Sequence, residues 1–231
     1  MVPFKADVFI KDIPKILLAM PLTLLLTLSA LVLGLVIGAV LCAASMGKSR
    51  TLSKIAGGYI AFMRGLPQLV LIFLLYLGLP QFFKNFGIDL TDIPKTVYLV
   101  GIFSLAISAP ISEMMRSAYL AVDKGQREGA YSVGMSSLQA FVRIILPQAF
   151  GIAIPSLGNN IVMLFKMTSL GFTIGIVDIM GRARLIAYQG LGSRRLEAYL
   201  AVALIYWGFC VLLEQLNRIL LKAYNAKGHK R

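Results

Sequence analysis

No charged side chain stands between Lys15 and Lys48. A helix rises about 1.5 Å per residue, so roughly 20 apolar residues cross a ~30 Å hydrocarbon core. The run from Ile16 to Gly47 is long enough to do so. It is too long for the core of a signal peptide and has no cleavage-type flank. Composition agrees: 58% of the 231 residues are hydrophobic and 14% charged, with a mean hydropathy of +0.80. A soluble domain carries about a quarter charged residues. The shortfall excludes a disordered chain and argues against an ordinary soluble enzyme. The net charge of +13, from 23 Lys and Arg against 10 Asp and Glu, belongs to basic loops beside a membrane rather than to nucleic-acid binding. The fold class expected is all-α integral membrane.

Four further stretches succeed the first, for five expected spans at about 16–46, 57–83, 96–120, 145–177 and 198–221, with residues 1–231 forming a single membrane domain. The fourth carries Lys166 and is expected to be interrupted at Pro147 and Pro155; the fifth contains Glu214. An odd count puts the termini on opposite sides. Three segments fall on one side: Lys48, Arg50 and Lys54; then Arg116, Lys124, Arg127 and Arg143; then Arg218, Lys222, Lys227, Lys230 and Arg231. They hold 12 of the 23 basic residues, which places the C-terminus in the cytoplasm and the N-terminus outside. Arg182, Arg184, Arg194 and Arg195 fall on the outer side, where topology does not explain them.

Residues 1–15 mix Val8, Phe9, Ile10 and Ile13 with Lys5, Asp7, Lys11 and Asp12, which predicts a short interfacial helix with a break near Pro14. Gly34 and Gly38, like Gly171 and Gly175, are four residues apart, a spacing that lets helices approach closely, within one subunit or between two.

Catalytic chemistry is hard to place in this chain. The single histidine, His229, removes Ser-His-Asp, Cys-His and histidine metal sites. Cys42 and Cys210 lie in apolar runs, where thiols are poor nucleophiles. The nearest approach to a phosphate loop, Cys42 to Ser49, has cysteine where glycine is required and no preceding strand. No cofactor is expected on this chain.

The most informative segment is the connection at 123–144. A membrane protein needs only a few residues to turn, and longer structured loops tend to be functional. Residues 125–133 predict a short helix, Gly134 a break, and 136–145 a second helix capped by Ser136 or Ser137. Leu138, Phe141, Val142 and Ile145 recur at helical spacing, an apolar stripe that needs a cover. That cover is either the protein's own helices or a separate cytoplasmic subunit.

The pattern Glu128-Gly129-Ala130, three residues, Gly134, nine residues, Ile144-x-Leu146-Pro147 resembles the cytoplasmic signature of ABC-importer permeases, Glu-Ala-Ala, three residues, Gly, nine residues, Ile-x-Leu-Pro. Gly129 replaces the first alanine. Further stretches are similar to permeases for polar amino acids: Pro21 to Ser29, Met63-Arg64-Gly65-Leu66-Pro67, Ile145 to Phe150, and Lys166-Met167-Thr168-Ser169-Leu170. The resemblance implies a type I importer fold in the bacterial plasma (inner) membrane, with lipid around it. It also implies a coupling helix seated on a separate ATP-hydrolysing subunit that binds ATP and Mg, an extracytoplasmic substrate-binding protein, and a second permease copy or a sister permease. Glu128, Gly129, Ala130, Gly134, Ile144, Leu146 and Pro147 would then form the coupling region.

The family usually has Lys-Asp-Thr-Ser-Leu where Met167 stands here. An ionisable residue at membrane depth is kept near water, a partner or a substrate. Loss of the acid therefore points away from arginine or lysine and towards cystine, glutamine or another net-neutral amino acid. Lys166, Met167, Thr168, Ser169, Glu113 and Arg64 are the pathway candidates. Two readings of Lys166 stand: attraction of a substrate carboxylate, or a structural ion pair with Glu113 or capping of carbonyls near Pro155. The Arg64 turn either gates the pathway or faces a partner, or it simply kinks the start of its span while Arg64 snorkels to headgroups. A stand-alone channel or secondary carrier is the other class that fits a chain of this kind.

Overall fold

Every regular element is helical among the described residues, 4–189 and 194–226, of the computed structural model. His229, Lys227, Lys230 and Arg231 lie outside the described residues. The helices are α1 (Ala6–Leu17), α2 (Met20–Met46), α3 (Arg50–Gly65), α4 (Gln68–Phe73), α5 (Leu79–Lys84), α6 (Lys95–Leu120), α7 (Lys124–Ser132), α8 (Ser137–Ala140), α9 (Leu146–Met167), α10 (Ile179–Tyr188) and α11 (Arg195–Ala226). Two π-turns, Leu74–Gly78 and Phe141–Ile145, and a 3₁₀ segment, Thr168–Ile174, join some of them. Four helical stretches are long and apolar enough to cross a membrane: α2, α6, Ser137–Ile174 and α11. Helix α3 with Gln68–Lys84 makes a fifth, bent by 111°.

Helices α2 and α6 form the spine. They run parallel, because Gly34 lies against Ile107 and Gly38, one turn later, against Ile111. The Gly34/Gly38 pair thus serves packing within the subunit. The cluster around this seam includes Leu26, Ile60, Leu71, Phe103, Ile107 and Leu164. A second cluster joins α1, α9, α10 and α11 through Ile16, Phe165, Ile179, Ala201 and Cys210. Helix α9 runs antiparallel to α11, with Gly151 against Tyr224 and Gly158 against Asn217. Outward-facing side chains such as Leu25, Val36, Trp207 and Ile219 are exposed, as a lipid-facing surface requires.

Three prolines act differently from their expected roles. Pro14 lies inside α1, and the break comes at Leu18–Ala19 instead. Pro21, in the first turn of α2, cannot continue the hydrogen-bond ladder from α1. Ile10, whose carbonyl loses its partner to Pro14, is on the exposed side of α1, where that loss is tolerated. Pro147 does not interrupt the fourth span. The Leu146 N–H reaches back five residues to the Phe141 carbonyl, and this wide turn makes room for the proline ring at the start of α9. Pro155 sits within α9 without ending it. The second span, by contrast, is not one straight helix over 57–83: the chain turns sharply at Leu66–Pro67 between α3 and α4. Pro67 disfavours the helical region for Leu66, whose ψ is 136°.

Candidate functional site

The 123–144 segment, the candidate coupling region, takes its internal shape from local rules. Asp123 caps α7 through the Gly125 N–H at 2.7 Å. The helix ends in a paired return: the Met135 N–H donates to Ala130 O at 3.1 Å and the Gly134 N–H to Tyr131 O at 3.0 Å. That closure needs a left-handed residue, and Gly134 has φ of +79°. Ser136 and Gln139 then form a reciprocal capping box that starts α8. Gly129 lies inside α7, with open space where a Cβ would stand. Its cost is helix propensity, about 1 kcal/mol, rather than packing.

Tertiary contacts hold the two short helices against the bundle. Arg127 lies over the Tyr119 ring at 4.9 Å, and the Gln148 amide bridges to Gln126 at 3.3 Å and to Ile144 O at 2.9 Å. Ala130 and Ile145 are buried, Pro147 and Ile144 half-buried, and Leu146 exposed. Glu128 points outward with the rest of the exposed face. Val133 and Leu138 are each 72% exposed, next to exposed Tyr131, Phe141 and Val142. The bundle therefore covers only part of the apolar stripe.

Within the spans, Glu113 pairs with Arg116 at 2.9 Å. Of the alternatives for Lys166, the ion pair with Glu113 does not form. Arg64 lies within electrostatic reach of Glu113, so the α3–α4 bend brings those two candidates together. Lys166 is elsewhere: its ammonium and the Glu214 carboxylate both lie within electrostatic reach of the Cys210 thiol on α11. Met167 is buried in the core around α6, and Thr168 is fully buried, donating to Phe165 O at 2.8 Å. Ser169 is half-buried and Lys166 exposed, so these two of the four reach a surface. Lys166 continues an exposed face of α9 through Ser156, Asn159 and Met163 at helical spacing. Polar groups on the exposed face of a membrane helix mark contact with water or protein rather than lipid.

One polar cluster is invisible in the sequence. Asp178, fully buried between the fourth and fifth spans, caps α10 through the Gly181 N–H at 2.9 Å and accepts from Tyr206 Oη at 3.4 Å. Thr23 Oγ1 accepts from the Ile179 N–H beside it. The only signal for it is an aspartate three residues before Gly181, a plain cap pattern. Burial pushes its carboxyl from 3.8 up to about 6, against the opposing pull of backbone and Tyr206 donors. Below pH 3.8 both folded and unfolded chains hold this proton. Between 3.8 and 6 only the folded chain keeps it, so the stability it contributes is lost as pH rises through that window. Up to about 3 kcal/mol is at stake at 1.36 kcal/mol per pKa unit. Thermal unfolding in detergent should show stability falling from about pH 4 to about pH 6.5, and Asp178→Asn should flatten that slope.

Arg184, Arg194 and Arg195 have partners among the described residues. Arg184 lies over Phe172 and Arg195 over Tyr188, each at 5.0 Å, and Arg194 is 3.9 Å from the buried Asp12 carboxylate. Among the described residues no group of three His, Cys, Asp or Glu side chains is placed to hold a metal ion.

The sequence model of the family described as "binding-protein-dependent transport system inner membrane component" matches residues 30–225. The probable amino-acid permease protein YxeN of Bacillus subtilis is 36% identical over 217 residues, 94% of each chain. The L-cystine transport system permease protein TcyL of the same organism is 34% identical, covering 90% of this chain and 86% of its own. A crystal structure of an amino acid ABC transporter with histidines superposes with a TM-score of 0.84 at 28% identity, over 96% of this chain and 99% of that one. The methionine transporter MetNI, at 16% identity and a TM-score of 0.64, shares the fold over 95% of this chain and 97% of its own. The chain therefore belongs to the family of binding-protein-dependent transport system inner membrane components, as a multi-pass inner-membrane permease subunit of an amino-acid ABC importer and not an enzyme.

Proposed function

We propose that this permease imports a polar L-amino acid of net-neutral charge, cystine or glutamine, driven by a separate ATPase that seats on α7, Gly134 and α8. The observation that carries the ATPase reading is the uncovered apolar face of that segment, with Val133 and Leu138 each 72% exposed at the tip of a tightly capped turn. A rigid turn with an apolar tip loses little conformational entropy on docking. ATP and Mg would be bound by the partner chain, and this chain would hold no cofactor. The coupling segment would face the cytoplasm and the N-terminus the outside. An extracytoplasmic binding protein would deliver substrate to the outer end. A second permease copy, or a sister permease, would close the pathway, because one bundle of this size leaves the polar face of α9 open.

Two observations support the substrate class. Met167 occupies the position of the family's acid and packs into apolar surroundings, so no carboxylate there serves a cationic side chain. L-cystine permeases are among the relatives. Lys166, exposed on the Ser156–Asn159–Met163 face, would attract the substrate carboxylate.

Co-expression with the cognate ATPase and binding protein, then reconstitution in liposomes, tests the proposal. ATP-dependent uptake of cystine or glutamine should exceed that of arginine and lysine. Preferential arginine uptake would overturn the substrate class, and failure to bind any ATPase would overturn the coupling reading. In the same assay Lys166→Met should raise the half-saturating substrate concentration about tenfold, the worth of one charge-assisted hydrogen bond. Unchanged affinity and rate would remove Lys166 from the pathway.

A further inference from the structure

A cavity of about 870 Å³ lies between the end of α6, the first half of α9 and the end of α11, with Asp123, the first residue of the 123–144 segment, on its rim. Val122 and Asp123, Gln148 and Ile152, and Leu221 and Asn225 line it, from three different parts of the chain. One side chain ties its rims together. The Tyr224 hydroxyl donates to the Pro147 carbonyl, its ring sits directly over Gly151, and it makes a tilted contact with Phe150 at 6.1 Å. Pro147 comes just after the π-turn that ends the coupling segment. Pro147 thus sits in the first turn of α9, where movement of that segment enters the helix, whereas Tyr224 belongs to α11.

We propose that Tyr224 is a positioning residue, a strut that carries movement of the coupling segment into α11 across this cavity. Well-packed interiors shift as units and do not deform continuously, so a cavity beside a hinge gives the segment room to move. Without a tie across it, that motion would be absorbed by the empty space. Gly151 makes the tie possible, since a Cβ there would occupy the volume of the Tyr224 ring. The ring lines the cavity, so an added Cβ pushes it off the Pro147 carbonyl and into that space. Gly151→Ala should therefore displace Tyr224 without unfolding the bundle. Because α11 also carries Glu214, close to the surroundings of Lys166, the strut connects the coupling segment to the helix beside the proposed pathway.

The strut rests on the ATPase-coupled reading of the permease. Its test uses the whole complex in liposomes, comparing wild type, Tyr224→Phe and Gly151→Ala by basal ATP hydrolysis and by substrate imported per ATP hydrolysed. Both variants should assemble and keep basal hydrolysis within about twofold. Both should lose about fivefold in substrate moved per ATP, the worth of one neutral hydrogen bond. Wild-type transport per ATP in both variants would overturn the proposal. So would loss of assembly in both, which would assign Tyr224 to packing alone. A wild-type chain that recruits no ATPase would count against the functional reading and not against the strut.

Discussion

Aspartate in place of Gly134 is expected to abolish transport while the protein still inserts and purifies as a folded bundle. Gly134 has φ of +79°, and nothing lies within 4 Å of where its Cβ would stand. Clash is therefore not the cause. A non-glycine residue in this conformation costs about 1–2 kcal/mol, although aspartate tolerates it better than most. The larger effect is the carboxylate, placed on the exposed turn between Val133 and Leu138. If that face is the dock, an unpaired charge buried there costs several kcal/mol. Affinity for the ATPase should fall at least about 100-fold, since each 1.4 kcal/mol is tenfold. Gly134→Asn separates the two causes, because asparagine accepts the left-handed conformation and adds no charge. It should keep more than about half of wild-type transport in the vesicle assay. Normal uptake by the aspartate variant would mean that the turn does not dock an ATPase.

Leucine at Gly38 should instead destroy the fold. A Cβ at this position lies 2.6 Å from Ile111 Cγ2 and 3.0 Å from the Ser108 carbonyl. The second of these atoms is backbone, so a rotamer change cannot relieve the contact. Helices α2 and α6 must separate, opening the seam that buries Ile107 and Ile111. Overpacking typically costs about 1–3 kcal/mol, and displacement of a whole helix pair should exceed about 3 kcal/mol. That is a large share of the roughly 5–15 kcal/mol that stabilises an ordinary domain. Detergent extracts should contain little monodisperse protein, with a sharply lowered unfolding temperature for the remainder. Gly58→Ala on α3 is the control. Its Cβ meets nothing within 4 Å, and removing a helix-interior glycine should leave stability unchanged or raise it by about 0.5–1 kcal/mol.

These two glycines show how differently structure is written in a sequence. The turn at Gly134 is readable because all its causes lie within about 15 residues: an aspartate cap, a glycine where the backbone must turn left-handed, and a Ser136–Gln139 box. The spans are readable for a similar reason, since apolar length is a local quantity. The partner of Gly38 is not. The four-residue spacing permits a close approach, and only the assembled bundle shows that the approaching group is Ile111 of the same chain.

Charge within the membrane is the least legible feature. Lys166 and Glu113 look like natural partners by sign and depth. Helix rotation decides otherwise: Glu113 pairs with Arg116 within reach of Arg64, and Lys166 instead lies within electrostatic reach of Cys210 on α11. The arginines at 182–195 are similar, with Arg184 and Arg195 resting on aromatic rings and Arg194 near Asp12. Proline misleads in the other direction. The local rule that proline breaks helices predicts breaks at Pro14, Pro147 and Pro155. A π-turn before Pro147 and an exposed face beside Pro14 absorb the missing donors, and the 111° bend between α3 and the next helix falls at Leu66–Pro67 instead.

By itself the sequence determined the features that arise between neighbouring residues: helical membrane spans and a capped double turn around Gly134. Tertiary structure decided the features that arise where helix faces meet. It set the parallel α2–α6 seam, the burial of Asp178, the separation of Lys166 from Glu113, and the meeting of Tyr224 with Pro147 and Gly151. Periodicity gives the angular position of a side chain on its own helix. The rotation of one helix against another is set by packing summed over the whole bundle, and no local pattern contains that sum.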